Sequence, residues 1–246
     1  MKIAAIQLDS APMDVIGNVR KAMYACRNAF LHGARMIFLH EGLTADYSPE
    51  PLRYGRALES FEVHGFTDLA KQFDGYIALG LNEVWRGQPF ISCAYLGPTG
   101  VVDVYRKSVL WSARNRDDCV PYQMGFRQER GILGHGDGPR VVNVGGLRIG
   151  TLICADGDVP ESWDVFRKDV PDLVLHQSNQ TFLRMDYRQA VAREIDRPMV
   201  VTNRVGFSYH RFQTGGTRIV RRDGSIAVAA NAEGREQTIF ADLADL

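Results

Sequence analysis

The 246-residue chain carries no charge excess, only four cysteines and no long apolar run. Its 29 basic and 29 acidic residues cancel, so it offers no electrostatic footprint for nucleic acid or an anionic membrane surface, and neither is expected as a partner. No stretch approaches the roughly twenty apolar residues of a membrane span. The opening Met1-Lys-Ile-Ala-Ala-Ile-Gln-Leu-Asp meets Gln7 and Asp9 too early for a signal-peptide core, so a soluble protein of the cytoplasm is expected. Cys26, Cys93, Cys119 and Cys154 are widely spaced, without a C-x-x-C pair or a histidine cluster at ligand spacing. Reduced thiols, no structural zinc and no bound metal follow as expectations. Internal repeats and low-complexity tracts are also missing, which excludes a solenoid or a linker-rich chain.

What is present is a chain 45% hydrophobic, long enough to bury a sizeable core, and a single domain over 1–246 is expected. Ile3 to Leu8 reads as a strand. Val15, Val19, Met23, Cys26 and Phe30 recur at steps of three and four, the stripe of an amphipathic helix that stops near Gly33. Strands follow at 36–39, 76–81 and 91–96, with a helix at 66–73; the Gly97-Pro-Thr-Gly100 turn makes a hairpin with 101–105. From Ser112 to Arg140 the pattern fails, and long irregular stretches of this kind are often functional. A second hairpin, 141–144 with 147–153, precedes helices at 161–168 and 185–195. Short strands at 172–176, 199–203, 217–220, 226–230 and 238–241 complete the chain. Hairpins mixed with strand-helix units, and strands apolar on both faces, favour two sheets packed face to face with helices outside.

Polar residues stand where three of these strands end. The run Leu147 to Ile153 delivers Cys154 into a turn forced by Asp156, Gly157, Asp158 and Pro160, with a helix after it. A free cysteine is ordinarily an inert small hydrophobe. At the end of a strand, however, the thiol is expected to be exposed at the sheet edge, with nearby backbone N–H groups that lower its pKa and meet a developing oxyanion. Glu41 ends the strand at 36–39, where a surface carboxylate would be the ordinary reading. Lys107 ends the hairpin in Tyr105-Arg106-Lys107.

Phe38-Leu-His-Glu41-Gly, then Tyr105-Arg-Lys107-Ser-Val-Leu, then Leu152-Ile-Cys154-Ala-Asp156-Gly-Asp-Val-Pro160-Glu161 resemble the nitrilase superfamily of carbon-nitrogen hydrolases. So do the opening Ala4-Ala-Ile-Gln7, Asn18 in the first helix and the closing Arg222-Asp-Gly224 turn; the likeness runs along essentially the whole chain. It implies an α/β fold, a four-layer α-β-β-α sandwich of two mixed β-sheets flanked by helices, assembled as a homodimer or larger homo-oligomer. It also implies a thiol hydrolase with a Glu41-Lys107-Cys154 triad and no cofactor. In those terms Glu41 takes the thiol proton and later activates water, while Lys107 and the backbone N–H of Ala155 meet the oxyanion. The family often carries a second glutamate, and Glu129, the only Glu between Lys107 and Cys154, is its candidate; a surface salt bridge is the alternative for a loop carboxylate. The family commonly has Pro where His40 stands, which is read here as filling the strand end. Asp156 and Glu161 match the motif, but carboxylates in such places more often cap turns and helices. The Gly134-His-Gly-Asp-Gly138 run lacks the strand-before, helix-after setting of a phosphate cradle, so its glycines are assigned to loop flexibility.

The activity implied is cleavage of a non-peptide C–N bond in a small amide or N-carbamoyl compound through a Cys thioester. The alternatives are nitrile hydrolysis, acyl transfer to an amine by the same triad, and an idle binding or assembly subunit. Substrate choice is assigned to loops 44–49, 111–124 and 178–183, which hold Tyr47, Trp111, Arg114, Arg116, Asn179 and Phe182. Of these, Tyr47, Trp111 and Asn179 are the candidate substrate-binding residues.

Overall fold

The computed structural model describes residues 1–111, 129, 131–208, 211–231 and 233–246. Fourteen strands and five helices are defined among them. The strands are β1 Lys2–Gln7, β2 Met36–Phe38, β3 Tyr76–Trp85, β4 Gln88–Gly97, β5 Gly100–Arg106, β6 Arg140–Val144, β7 Leu147–Ile153, β8 Leu173–Gln177, β9 Met199–Thr202, β10 Val205–Ser208, β11 Arg211–Thr214, β12 Arg218–Val220, β13 Ile226–Ala229 and β14 Gln237–Asp242. The helices are α1 Val15–Leu31, α2 Pro51–Tyr54, α3 Phe61–Phe73, α4 Pro160–Lys168 and α5 Met185–Ile195. No helix of the described residues is long and apolar enough to cross a membrane.

Two six-stranded mixed sheets result, ordered β14-β1-β2-β3-β4-β5 and β13-β12-β9-β8-β7-β6, with β10 and β11 as a separate hairpin. The period-2 alternation of each strand decides what lies between the layers. Ile3 and Ala5 of β1 face the second sheet, packing with Met36, Phe38, Tyr95, Ile149, Leu173 and Val200. Their neighbours Ala4 and Ile6 turn the other way, onto Val19, Cys26 and Phe30 of α1 and Phe66 of α3. On the far side Leu152, Val174, Met199 and Val201 pack against Trp163 and Phe166 of α4 and Val191 of α5. This is the expected α-β-β-α sandwich.

The core of each sheet is parallel: β1 with β2, β2 with β3, β7 with β8 and β8 with β9. β5 is antiparallel to β4, itself antiparallel to β3, so β5 runs in the direction of β2. The C-terminal ends of β2 and β5 thus meet at one end of the first sheet, those of β7 and β8 at one end of the second. Buried side chains tie these ends together. Gln177 Nε2 and Thr202 Oγ1 both donate to Leu39 O, at 2.9 and 3.0 Å. Gln7 joins the two chain halves, its Oε1 accepting from the N–H groups of Gly216 and Thr217 and its Nε2 donating to Arg235 O. Asn18 of α1 staples the loop after β1 to the loop after Glu41, bonding Ala11 N, Ala11 O and Thr44 O.

Some elements differ from the sequence reading. β3 and β4 run on past Leu81 and start before Ile91, meeting at a tight turn in which Arg86 (φ 49°) and Gly87 (φ 77°) are both left-handed. Polar Asn82, Glu83 and Gln88 hid this extension by breaking the apolar run. The polar hairpin β10–β11 and the four-residue α2 were missed for the same reason, and α3 starts at Phe61 rather than 66. Gly134 and Gly136 are there for close packing, not flexibility: a Cβ on Gly134 would lie 2.3 Å from the Phe90 ring, and one on Gly136 1.9 Å from Arg106 O; Gly138 has open space around it and a positive φ of 109°. Cys119, Arg114 and Arg116 lie outside the described residues.

Gly80 shows how tightly the site is seated. β3 passes beneath the His40–Glu41 peptide so closely that a Cβ on Gly80 would sit 1.8 Å from His40 O. Gly80→Ala is therefore expected to cost about 1–3 kcal/mol, the range for overpacking a filled core, read as a lowered urea midpoint with unchanged slope; an unchanged midpoint would show that the peptide has room to move.

Candidate active site

The structure buries Glu41, Lys107 and Glu129 together. Lys107 is wholly buried, and its Nζ donates to Glu41 Oε1 at 2.7 Å and to Glu129 Oε1 at 2.8 Å. Glu129 is thus not a surface salt-bridge partner. It is pinned by a reciprocal pair with Trp111: Trp111 N donates to Glu129 Oε2 at 2.9 Å and Glu129 N to Trp111 O at 3.1 Å. Glu41 Oε1 also accepts from the Tyr47 hydroxyl at 2.9 Å, while buried Glu41 Oε2 accepts no hydrogen bond from the described residues. Two carboxylates share one ammonium. Burial pushes the Glu41 carboxyl above the usual carboxylate range, Lys107 opposes it, and Glu129 pushes it further up. Lys107 is held above its ordinary value by Cys154 and both carboxylates, despite burial.

Cys154 opens a 3₁₀ turn, Cys154–Asp158, at the end of β7 with its backbone left-handed (φ 50°), a conformation that costs a non-glycine residue energy and is held by its surroundings. β7 lies inside its sheet, between β6 and β8, and Cys154 is only 6% exposed. The expected place at the strand-end edge of the sheet holds, but the expectation of an exposed thiol is corrected. So is the expectation of a lowered pKa: burial first, then the fields of Glu41 and Glu129, push the thiol up to about 12, against the pull of Lys107 and a hydrogen bond from Gln180. Local N–H groups do not outweigh desolvation.

A cavity of about 240 Å³ is lined among the described residues by Tyr47, Trp111, Glu129, Cys154, Ala155, Asp158, Asn179, Gln180, Thr181 and Phe182. All three candidate substrate-binding residues are in that wall. Tyr47 presents its ring while its hydroxyl serves Glu41. Asn179 donates Nδ2 to Asp46 at 2.7 Å, leaving a buried Oδ1 without a partner among the described residues. Asp46 is in turn paired with Arg204 at 2.6 Å and bonded by Ser208. Among the described residues, no group of three or more His, Cys, Asp or Glu side chains is placed to hold a metal ion.

Asp156 does not face the cavity chemistry; it is a tie between the two sheets. Its Oδ1 accepts from Ser108 N, Ser108 Oγ and Val109 N, just after Lys107, and its Oδ2 from Tyr105 Oη and Ile153 N. Glu161 is exposed at the start of α4. His40 fills the strand end as expected. A carbonyl can only accept, so Nδ1–H donates to Glu41 O at 3.0 Å and Nε2 takes the Ser10 hydroxyl at 3.1 Å. The sequence reading placed Asp158 in the turn and Gln180 and Thr181 in a substrate loop without singling them out as site residues, and it passed over His176 and Arg188. Gln180 had a signal, because the polar run after β8 ends a strand as Glu41 and Cys154 do, and the pairing of Ile153 with Gln177 places it beside Cys154.

The family model described as carbon-nitrogen hydrolase matches residues 2–245. The chain belongs to the carbon-nitrogen hydrolase family. A nitrilase from Pyrococcus abyssi is 26% identical over 184 residues, 73% of this chain; the match spans 65% of the nitrilase's own length. An (R)-stereoselective amidase from a Pseudomonas species is 25% identical over 233 residues, 93% of this chain and 77% of the amidase. Two solved structures share the fold at a TM-score of 0.82. One is a CN-hydrolase superfamily protein from Xanthomonas campestris with an arsenic adduct in its active site, 20% identical, covering all of this chain (100%) and 92% of that one. The other is an amidase from Nesterenkonia sp. AN1 carrying the product of Michael addition of acrylamide at its active-site cysteine, 18% identical, covering 98% of this chain and 92% of that one.

Two buried histidines set an acid limit on this carbon-nitrogen hydrolase. Burial lowers His40 to about 3 and holds His176 well below its ordinary value. The unfolded chain takes up both protons below about pH 6.5 while the folded chain refuses them, so stability falls as pH drops through that value. Each histidine contributes up to about 1.4 kcal/mol per pH unit. Glu41, with its raised pKa, acts in the opposite sense, so the contribution is isolated by comparison: His40→Asn should flatten the slope of unfolding free energy between pH 6 and 5 by about one proton. Equal slopes in urea titrations would show that His40 is protonated in the native state.

Proposed function

We propose that the chain hydrolyses the C–N bond of a small amide or N-carbamoyl compound through a thioester on Cys154. The observation that carries the reading is the buried Lys107 ammonium, shared by Glu41 and Glu129 beside a cavity lined by Glu129 and Cys154. With its thiol pushed up, Cys154 rests protonated and needs a base during attack. Glu41 suits that role: its raised pKa improves its basicity, and Oε2 has no competing hydrogen bond among the described residues. As Glu41 takes the proton, the sulfur attacks the carbonyl carbon and the oxyanion forms beside Lys107 Nζ and the Ala155 backbone N–H. Collapse breaks the C–N bond, and the departing ammonia or amine takes the proton back from Glu41. Water then gives a proton to Glu41 and attacks the thioester, releasing the acid and restoring the thiol. Glu129 acts by aiming Lys107.

The likeness to an amidase and a nitrilase supports this class of substrate, and a nitrile would use the same residues. A cavity of about 240 Å³ suits a small molecule. The chain is further expected to act as a single domain and as a homodimer or larger assembly, which light scattering tests; a fully active monomer would leave the chemistry intact and remove the assembly.

The decisive experiment is ammonia or amine release from a panel of amides, carbamoyl amino acids, ureas and nitriles. Cys154→Ala should abolish turnover, and a slow substrate should leave an acyl adduct on Cys154 by intact-protein and peptide mass spectrometry; turnover surviving in the alanine variant would reject the nucleophile. Glu41→Gln should lose turnover as well. Glu129→Gln should slow it on the order of 10²-fold through misplacement of Lys107, while Cys154 still reacts with a small alkylating agent. Because Glu41 must be ionised to act and its pKa is raised, kcat/KM should fall on acidification at a pH above the ordinary carboxylate range. An acid limb at pH 4 or below would exclude Glu41 as the base.

A further inference from the structure

We infer that Gln180 is a catalytic hydrogen-bond donor to the Cys154 sulfur, and that Arg188 is the positioning residue that aims it. The inference rests on Cys154 being the nucleophile. Gln180 Nε2 lies 3.3 Å from Sγ and 3.4 Å from Asp158 Oδ2, while its Oε1 lies 3.4 Å from Arg188 Nη2. The chemistry of the neighbours dictates which end is which. A guanidinium can only donate and a carboxylate can only accept, so the amide oxygen must face Arg188 and the amide nitrogen must face Asp158 and the sulfur. The reversed amide would set N–H against N–H on one side and oxygen against carboxylate on the other.

The backbone of Gln180 is as constrained as its side chain. Its N–H donates to Asn203 Oδ1 at 3.0 Å, and its carbonyl accepts from Asn203 Nδ2 at 2.8 Å. Asn203 is fixed in turn by Gly215 O and by two bonds with Thr217. A cavity-lining glutamine held at both backbone groups, with both ends of its amide assigned, is aimed rather than accommodated.

Arg188, on α5, is fully buried, and two chains of contacts run from it to the same cysteine. One goes through Gln180 to the sulfur. The other goes through His176: Arg188 Nε donates to His176 Nδ1 at 2.9 Å, which places the imidazole proton on Nε2, and Nε2 donates to Cys154 O at 3.0 Å. That second arm holds the carbonyl of the left-handed Cys154, and it needs Gly157, where a Cβ would lie 2.7 Å from His176 Nε2. A lysine at 188 has the charge but not the geometry to serve both arms.

A donor at this point has a physical task. Negative charge forming on the sulfur meets the fields of Glu41 and Glu129, while Lys107 and the Gln180 hydrogen bond favour it, as does the more distant Arg188 charge. Among the described residues, the charged and titratable groups around the sulfur are Glu41 after β2, Tyr47 beside it, Lys107 after β5, Glu129, Asp158 in the turn, His176 on β8 and Arg188 on α5. A neutral amide supports the thiolate without competing for the proton that Glu41 must take. Hydrogen bonds to a charged partner of this kind change an equilibrium on the order of 10- to 100-fold.

The test is the pH dependence of Cys154 alkylation by iodoacetamide in the full chain, with the adduct located by peptide mass spectrometry and thermal unfolding recorded alongside. Gln180→Glu is nearly isosteric and keeps an acceptor for Arg188, but it places an oxygen on the sulfur. It should shift the alkylation profile to higher pH and lower the rate at pH 7.5 at least about tenfold, with kcat on an amide falling more than KM changes. Gln180→Ala should shift it the same way by less, and Arg188→Lys should shift it in the wild-type Gln180 background but add little to Gln180→Glu. A packing role predicts the opposite order, with alanine harmful and glutamate harmless. Wild-type rate and profile in Gln180→Glu, with the adduct still on Cys154, would overturn the inference and leave the nucleophile in place; no wild-type adduct on Cys154 would overturn both.

Discussion

The structure depends on keeping one ammonium dry. Lys107 Nζ sits between Glu41 and Glu129 with no solvent exposure, where an unpaired charge would cost several kcal/mol and the removal of one partner typically costs about 3–5 kcal/mol. Every neighbouring element serves that arrangement. Glu129 is locked by both backbone groups of Trp111. Glu41 is held from behind by His40, from the side by Tyr47 and from beneath by the bare backbone of Gly80. Burial is the largest influence raising both Glu41 and the Cys154 thiol, and the field of Glu129 adds to it against the pull of Lys107, so the thiol rests protonated.

Bringing Cys154 to this ion cluster requires registering one sheet against the other. Lys107 belongs to the first sheet and Cys154 to the second, and Asp156 binds the two strand ends through five donors. Leu39 O, two residues before Glu41, is gripped from the second sheet by Gln177 and Thr202. Asp46 and Arg204 extend the same tie across the loops, with Asn179 as the link to the cavity wall. Apolar packing between the sheets supplies cohesion but is non-directional; these polar bonds supply register.

The same design explains the wall opposite Lys107. The left-handed turn at Cys154 lifts the thiol out of β7, and the segment after β8 runs alongside it because the two strands are parallel neighbours. Arg188 is buried against that segment, and its guanidinium makes bonds to His176, Asp158 and Gln180 that no shorter or less branched cation reproduces. The cysteine thus lies in the field of the ion cluster and takes hydrogen-bond contacts from Gln180 and His176.

Much of this was legible in the chain itself. Alternation in Ile3-Ala-Ala-Ile6, the three-and-four spacing of α1 and the strand-turn-helix around Cys154 are local patterns, and they fixed the layers and the strand ends at which Glu41, Lys107 and Cys154 stand. Hairpin β3–β4 escaped because polar Asn82 and Glu83 face partners that only the fold provides, and β10–β11 because its polar residues break the apolar alternation. Glu129 was a candidate by elimination, since no periodicity reaches across residues 112–128 to say where it ends up. The thiol was misjudged for a related reason: nearby N–H groups can be read from sequence, whereas desolvation and the fields of two carboxylates distant in the chain cannot. Periodicity is a property of neighbours along the chain and survives in sequence. Burial, charge coupling and the two arms of Arg188 are sums over residues brought together from distant positions, so only the tertiary structure decides them.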